Sequence, residues 1–149
     1  LYQSIFFKEI YSLTEGPPPE INLSNERNNG EAVLKLINDK LVFSVHDISS
    51  GGLILALAEM SIHSGYGLKI EKPQKLSNLM EHYFGEDQGR YLVEIEQDNF
   101  KIIQKILDKK NIFNEIVGTV QENYFELEGE LKILTKDLYK ENNKWYHNY

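Results

Sequence analysis

With 149 residues and 17.3 kDa, the chain is sized for one domain, 1–149, around a single core. Hydrophobic residues make up 41% of it, with nine Tyr and seven Phe, enough apolar surface to offset the entropy of ordering, so disorder is excluded. A net charge of −7 without a Lys/Arg stripe argues against nucleic acid as a partner, and the absence of cysteine excludes disulfides, thiolate metal sites and a cysteine nucleophile.

The first predicted element is a helix in LYQSIFFKEIYSL, with Ile5, Phe6, Ile10 and Leu13 near helical spacing, stopped by Gly16 and a stiff connector through Pro17, Pro18 and Pro19. The chain enters that helix at Leu1 without an initiating Met, which predicts a piece of a longer polypeptide. Asn22 or Ser24 then caps a second helix carrying Ala32, Val33, Leu36 and Ile37 on one face and ending near Asp39. Leu41–Val45 reads as a strand covered on both faces, and 52–63 as a helix, apolar all round from Leu53 to Ala58 and therefore buried. Glu59 on that helix calls for a partner or an exposed edge.

Further along, Gly67–Glu71 reads as a strand, Leu76–Tyr83 as a short helix and Arg90–Glu96 as a strand. Asp98 is the predicted cap of a helix bearing Phe100, Ile102, Ile103, Ile106 and Leu107. Ile116–Gln121, Tyr124–Leu127 and Leu131–Leu134 are three closing strands, with Glu128 and Gly129 at a turn. The tail after Lys136 is either a last helix packing Leu138, Tyr139 and Trp145 or a frayed end. The expected fold class is therefore α/β in the broad sense (α+β), a mixed sheet with helices packed on it. No apolar run approaches the roughly 18–20 residues that span a bilayer and no signal peptide opens the chain, which makes the cytosol the expected location.

The stretch HDISSGGL, residues 46–53, stands between two apolar runs. A strand entering a helix through Ser49, Ser50, Gly51 and Gly52 offers main-chain N–H groups, a positive dipole end and no Cβ at two positions, which suits a phosphate. Equally, Asp47, Ser49 or Ser50 can simply cap the helix while the glycines answer a steric need, since neither the Walker nor the Rossmann glycine spacing is present. His46 and Asp47 lie at the carboxyl end of the strand, where ligands of open α/β sheets bind, but His63, His82 and His147 show no ligand spacing and no metal site is assigned. No G-x-S-x-G elbow supports a serine hydrolase. In GEDQGRYLVEI, residues 85–95, Glu86, Asp87, Gln88 and Arg90 form a charged turn that either meets a cation or a phosphate or is simply solvated.

Three stretches together resemble one family: SIFFKEIYSLTEGPPPEINLSNERNNGEAVLKLI, SVHDISSGGLILALAEMSIHSGYGL and YFGEDQGRYLVEI are similar to the C-terminal region of phosphoribosylformylglycinamidine synthase in its separate large-subunit form. The resemblance covers the first two thirds of the chain. It implies a purine-biosynthetic enzyme that uses ATP and Mg2+ to activate the amide oxygen of formylglycinamide ribonucleotide, after which ammonia from a glutaminase displaces phosphate. It also implies an internally duplicated subunit of the aminoimidazole-ribonucleotide-synthase type, of which this chain is the last C-terminal domain, with the remaining domains and the glutaminase subunit as partners. The family's catalytic histidines and most metal-binding carboxylates lie upstream, so no catalytic residue is assigned and the chain alone is expected to be inactive.

By the same resemblance His46, Asp47, Ser49, Ser50, Gly51 and Gly52 are candidate nucleotide or phosphate contacts, and Glu86, Asp87, Gln88 and Arg90 line a second, pseudosymmetric cleft. Where the family region often reads His-Asp-Val-Ser-Asp-Gly-Gly, this chain has Ser50 in place of the second acid; a carboxylate for a cation is lost, while a phosphate contact through N–H groups is not. Two other classes remain open: the ATP-binding domain of a relative such as aminoimidazole ribonucleotide synthase, selenophosphate synthetase or thiamine monophosphate kinase, and a noncatalytic module docking through Ile5, Phe6, Phe7 and Ile10.

Overall fold

The computed structural model describes residues 1, 3–73, 78–144 and 146. Two compact units divide the chain, one formed by Leu1–Ala56 and Asn78–Glu115, the other by Leu57–Ser77 and Ile116–Tyr149. The fold is mixed α and β, with one sheet in each unit.

In the first unit, α1 (Ile5–Tyr11) starts where the Ser4 hydroxyl accepts from the Phe7 N–H and ends at Ser12 in the left-handed region. α2 (Leu23–Asn38) is capped by the Asn22 side chain, which accepts from the Asn25 N–H at 3.0 Å. Its Ala32 and Leu36 are 1% exposed, but Ile37 is 46% exposed, so the buried stripe is narrower than the periodicity predicts.

The strand expected at 41–45 is displaced. Lys40 adopts a left-handed conformation (φ 56°), its N–H donates to Ile37 O, and the Leu41 N–H donates to Leu36 O. This pairing closes α2 as a Schellman motif and uses up Leu41. β1 therefore runs Ser44–Asp47, is only half-buried, and leaves Phe43 exposed rather than covered. Its partner is β3 (Tyr91–Glu94), antiparallel, with Ser44 opposite Glu94 and Asp47 opposite Tyr91. Between them in this unit, α4 (Leu79–Phe84) is capped by Asn78, which accepts from Met80 and Glu81 N–H groups. The first residues of the helix expected at 76–83 lie outside the described residues.

Asp98 is not a helix cap: it sits inside a 3₁₀ turn, Gln97–Asn99, and α5 (Phe100–Asp108) begins after it without a side-chain cap. α5 buries Ile103 and leaves Ile102 exposed. α3 (Gly52–Ser64) begins in the first unit and continues into the second; Leu53, Ala56 and Leu57 are buried along it, whereas Leu55 is 40% exposed, so it is not covered all round. Glu59 is half-buried.

The second unit is built on a four-stranded sheet in the order β4-β2-β5-β6, from β2 (Gly67–Ile70), β4 (Gly118–Gln121), β5 (Tyr124–Leu127) and β6 (Leu131–Leu134). β5 and β6 fall where the sequence predicts them, joined by a turn in which Gly129 takes φ 74°. β2 enters between β4 and β5, antiparallel to the first and parallel to the second, which makes the sheet mixed. Ile70 and Phe125 form its core, at 1% and 2% exposure. α6 (Thr135–Asn143) follows β6 directly, so the tail begins as a helix; Leu138 is half-buried, Tyr139 is exposed, and Trp145 lies outside the described residues. Among the described residues, no helix is long and apolar enough to cross a membrane.

Candidate functional site

The turn between β1 and α3 belongs wholly to the first unit up to Ala56. Gly51 and Gly52 are buried and both lie at positive φ, 83° and 71°. A Cβ at Gly52 would stand 2.7 Å from Tyr83 O and from Phe84 C, main-chain atoms at the end of α4. The steric demand is thus real: only glycine allows the start of α3 to approach that backbone so closely.

The N–H groups of the two glycines have acceptors inside the chain. Gly52 donates to Ser49 O at 3.1 Å, and Gly51 donates to Glu86 Oε1 at 2.8 Å. The same Glu86 oxygen accepts from the Ile5 N–H, also at 2.8 Å. The Gly51 N–H is thus met by a carboxylate of the chain itself. Glu86 stands 35 residues from Gly51, a separation at which no local pattern links the two.

Four of the candidate residues converge elsewhere in the same unit. Asp47, Ser49, Gln88 and Arg90 line one open cleft of ≈ 200 Å³, together with Glu26, Ile48, Gly89 and Tyr91. The antiparallel register of β1 and β3 places the two turns side by side, and the Ile48 N–H donates to Arg90 O at 2.9 Å. On the α2 side, the Asn29 side chain donates to Gly89 O at 2.9 Å, and a Cβ on Gly89 would stand 2.9 Å from Glu26 Cγ. The sequence carried a partial signal for Glu26, an acid in the first turn of α2, but that signal reads as a complement to the helix dipole rather than as a cleft wall.

His46, Ser50, Gly51, Gly52, Glu86 and Asp87 are not among the residues lining the cleft. The His46 ring is turned to its own strand, Nδ1 2.6 Å from Asp47 O. Asp87 reaches Arg90 at 3.7 Å, and Arg90 Nη1 donates to Gly85 O at 3.2 Å, so the guanidinium is committed to its own turn. Burial pushes His82 below the ordinary imidazole value; Glu115, 3.9 Å away, opposes that shift and Arg90 adds to it.

Size and charge limit what this cleft can take. Pockets that enclose a whole small molecule occupy about 300–1,000 Å³, so a volume of ≈ 200 Å³ suits a group the size of a phosphate rather than an entire nucleotide. Glu26 and Asp47 line the same cleft as Arg90, whose guanidinium is also 3.7 Å from Asp87. Among the described residues, no group of three or more His, Cys, Asp or Glu could hold a metal ion.

Comparison with known proteins places the chain in a family. Residues 6–129 match the family described as AIR synthase related protein, C-terminal domain. The chain is 44% identical over 149 residues to phosphoribosylformylglycinamidine synthase subunit PurL of Pelagibacter ubique, and 35% identical over 147 residues to the subunit of the same name from Rhizobium meliloti. It spans about a fifth of the length of each, 20%. Among solved structures, phosphoribosylformylglycinamidine synthase II of Thermotoga maritima superposes with a TM-score of 0.70 at 20% identity, over 81% of this chain and 22% of that one. PurLQS from Thermotoga maritima gives 0.68 at 18% identity, over 89% and 24%. These likenesses carry the fold, and the match over residues 6–129 carries the family: the chain belongs to the C-terminal domains of AIR synthase related proteins.

Proposed function

We propose that the chain is the C-terminal domain of the large subunit of a phosphoribosylformylglycinamidine synthase, an ATP-dependent carbon–nitrogen ligase of purine biosynthesis in the cytosol. The curated relatives bear that name, and this chain corresponds to a fifth of each. In the whole enzyme the remaining domains would supply the catalytic groups and the sites for ATP and Mg2+, and a glutaminase subunit would supply ammonia. PurL of Thermotoga maritima has been solved with FGAR and with ATP, which supports a nucleotide as the small-molecule partner of the complete protein.

Within that enzyme the contribution of this domain is structural at the glycine-rich turn. One observation carries this reading: Glu86 already fills the anion position by accepting the Gly51 N–H, and the glycines are required by the close approach of α4. A second reading, an auxiliary phosphate contact, is favoured by the convergence of Ser49, Gln88 and Arg90 on one cleft, and there the side chains rather than the glycine N–H groups would meet the ligand.

Genetic complementation tests the assignment. The whole reading frame that carries this sequence is expected to restore growth without purines to a bacterium lacking its synthase large subunit, whereas the 149 residues expressed alone are expected not to. Failure of the whole frame, in cells where it accumulates as soluble protein, would remove the synthase from consideration.

A further inference from the structure

α1 contains no buried residue, and the connector after it, residues 12–22, is exposed except at half-buried Pro19. Among the described residues, two contacts tie this helix to the neighbourhood of the glycine-rich turn, and Ser4, which caps it, is buried. The Ile5 N–H donates to Glu86 Oε1, which also takes the Gly51 N–H. The Phe6 ring lies on the Phe84 ring, centroids 4.1 Å apart at 22°, and it is the main chain of Phe84 against which Gly52 packs. Both contacts thus end on the glycine-rich turn, one through a carboxylate and one through an aromatic pair.

We propose that α1 is a detachable strap and that Glu86 is a positioning residue coupling its docking to the conformation of residues 49–52. When α1 is docked, one carboxylate oxygen is held between two N–H donors, which fixes both the end of α4 and Gly51. When α1 leaves, that oxygen loses a charge-assisted donor and the Phe84 side chain loses its stacking partner, so the turn is held by fewer constraints. A helix with no buried residue and an exposed linker is the kind of element that opens locally without global unfolding.

The decisive variant is Ile5→Pro. Ile5 is the first residue of α1, a position where proline is tolerated, and Ser4 before it already has the extended conformation (φ −74°, ψ 155°) that a following proline requires. The substitution removes the one N–H through which α1 reaches Glu86 while leaving the helix able to form. In the protein expressed from its whole reading frame, Ile5→Pro and Glu86→Ala are each expected to speed amide exchange at Lys8 and Ser12 about tenfold, the scale of one hydrogen bond. Both should move the Gly51 amide resonance while leaving exchange in α2 unchanged. Glu86→Gln, which keeps a carbonyl acceptor, is expected to stay within about twofold of the parent. Unchanged exchange in α1 would overturn the strap, and a freed α1 with an unmoved Gly51 amide would overturn the coupling. Exchange rising equally through α2 would mark a global loss of stability and overturn both.

Discussion

Gly52→Ala is expected to destabilise the chain by about 3 kcal/mol, the sum of a left-handed backbone penalty of about 1–2 kcal/mol and an overpacking cost of similar size. The clash involves Tyr83 O and Phe84 C at 2.7 Å and Phe84 Cα at 2.8 Å, so no flexible side-chain tip can yield to relieve it. Either α3 or the end of α4 must shift. Because Glu86 lies only two residues past that end of α4, the shift would also disturb the carboxylate that holds Gly51. Gly65→Ala supplies the control, since Gly65 has a comparable φ of 77° and nothing within 4 Å of its would-be Cβ. Urea unfolding should show Gly65→Ala losing only the backbone penalty of about 1 kcal/mol and Gly52→Ala losing clearly more. Equal losses would mean that the close approach of α3 and α4 is not a feature of the protein.

The second large effect is expected at Gly67, in the other unit. A Cβ there would overlap Tyr124 O and stand 2.5 Å from Tyr124 N, beside the parallel seam of β2 and β5. An added methyl forces these strands apart where Leu68 faces Phe125 and Ile70 faces Leu127, and the core formed by Ile70 and Phe125 opens with them. A cost of about 3 kcal/mol follows from overpacking and strained ladder hydrogen bonds. Amide exchange read residue by residue should show Leu68 and Phe125 losing protection first. A Gly67→Ala protein within about 0.5 kcal/mol of the parent, the range of an ordinary surface substitution, would contradict the described packing.

How far the sequence could be read depended on whether the deciding interaction was local. β5 and β6 were legible to the residue because Gly129 marks the turn between them, and α2 because Asn22 is its cap. β1 was misplaced because Leu41 and Lys40, apolar and flexible in turn, are taken by the C-terminal cap of α2 rather than by a strand, a choice that strand propensity does not register. Asp98 suits a helix cap by residue type, yet the chain makes a 3₁₀ turn there first. The parallel seating of β2 beside β5 joins segments more than fifty residues apart, and periodicity gives each strand without naming its neighbour.

The site divides in the same way. The glycine-rich turn and its steric constraint were legible from HDISSGGL, and Gln88 and Arg90 belong to the cleft beside it. What could not be read was that the charged turn at 85–90 is bound to the glycine turn through Glu86 itself. Residue types announced a donor and an acceptor separately; only the fold brings them together. The family resemblance contributed the larger enzyme in which such a turn would be placed, while the internal carboxylate is a property of this chain's own geometry.

The central claim is that Glu86 already satisfies the turn, so that no outside phosphate is needed there. It is tested most directly by following the amide resonances of Ser50, Gly51 and Gly52 while Mg-ATP is added to the folded protein up to millimolar concentration. With the Gly51 N–H held by Glu86 at 2.8 Å and the Gly52 N–H by Ser49, these resonances are predicted to stay in place. A saturable shift at Gly51 and Gly52, with release of the Glu86 carboxylate, would contradict the account and restore the turn as a nucleotide site.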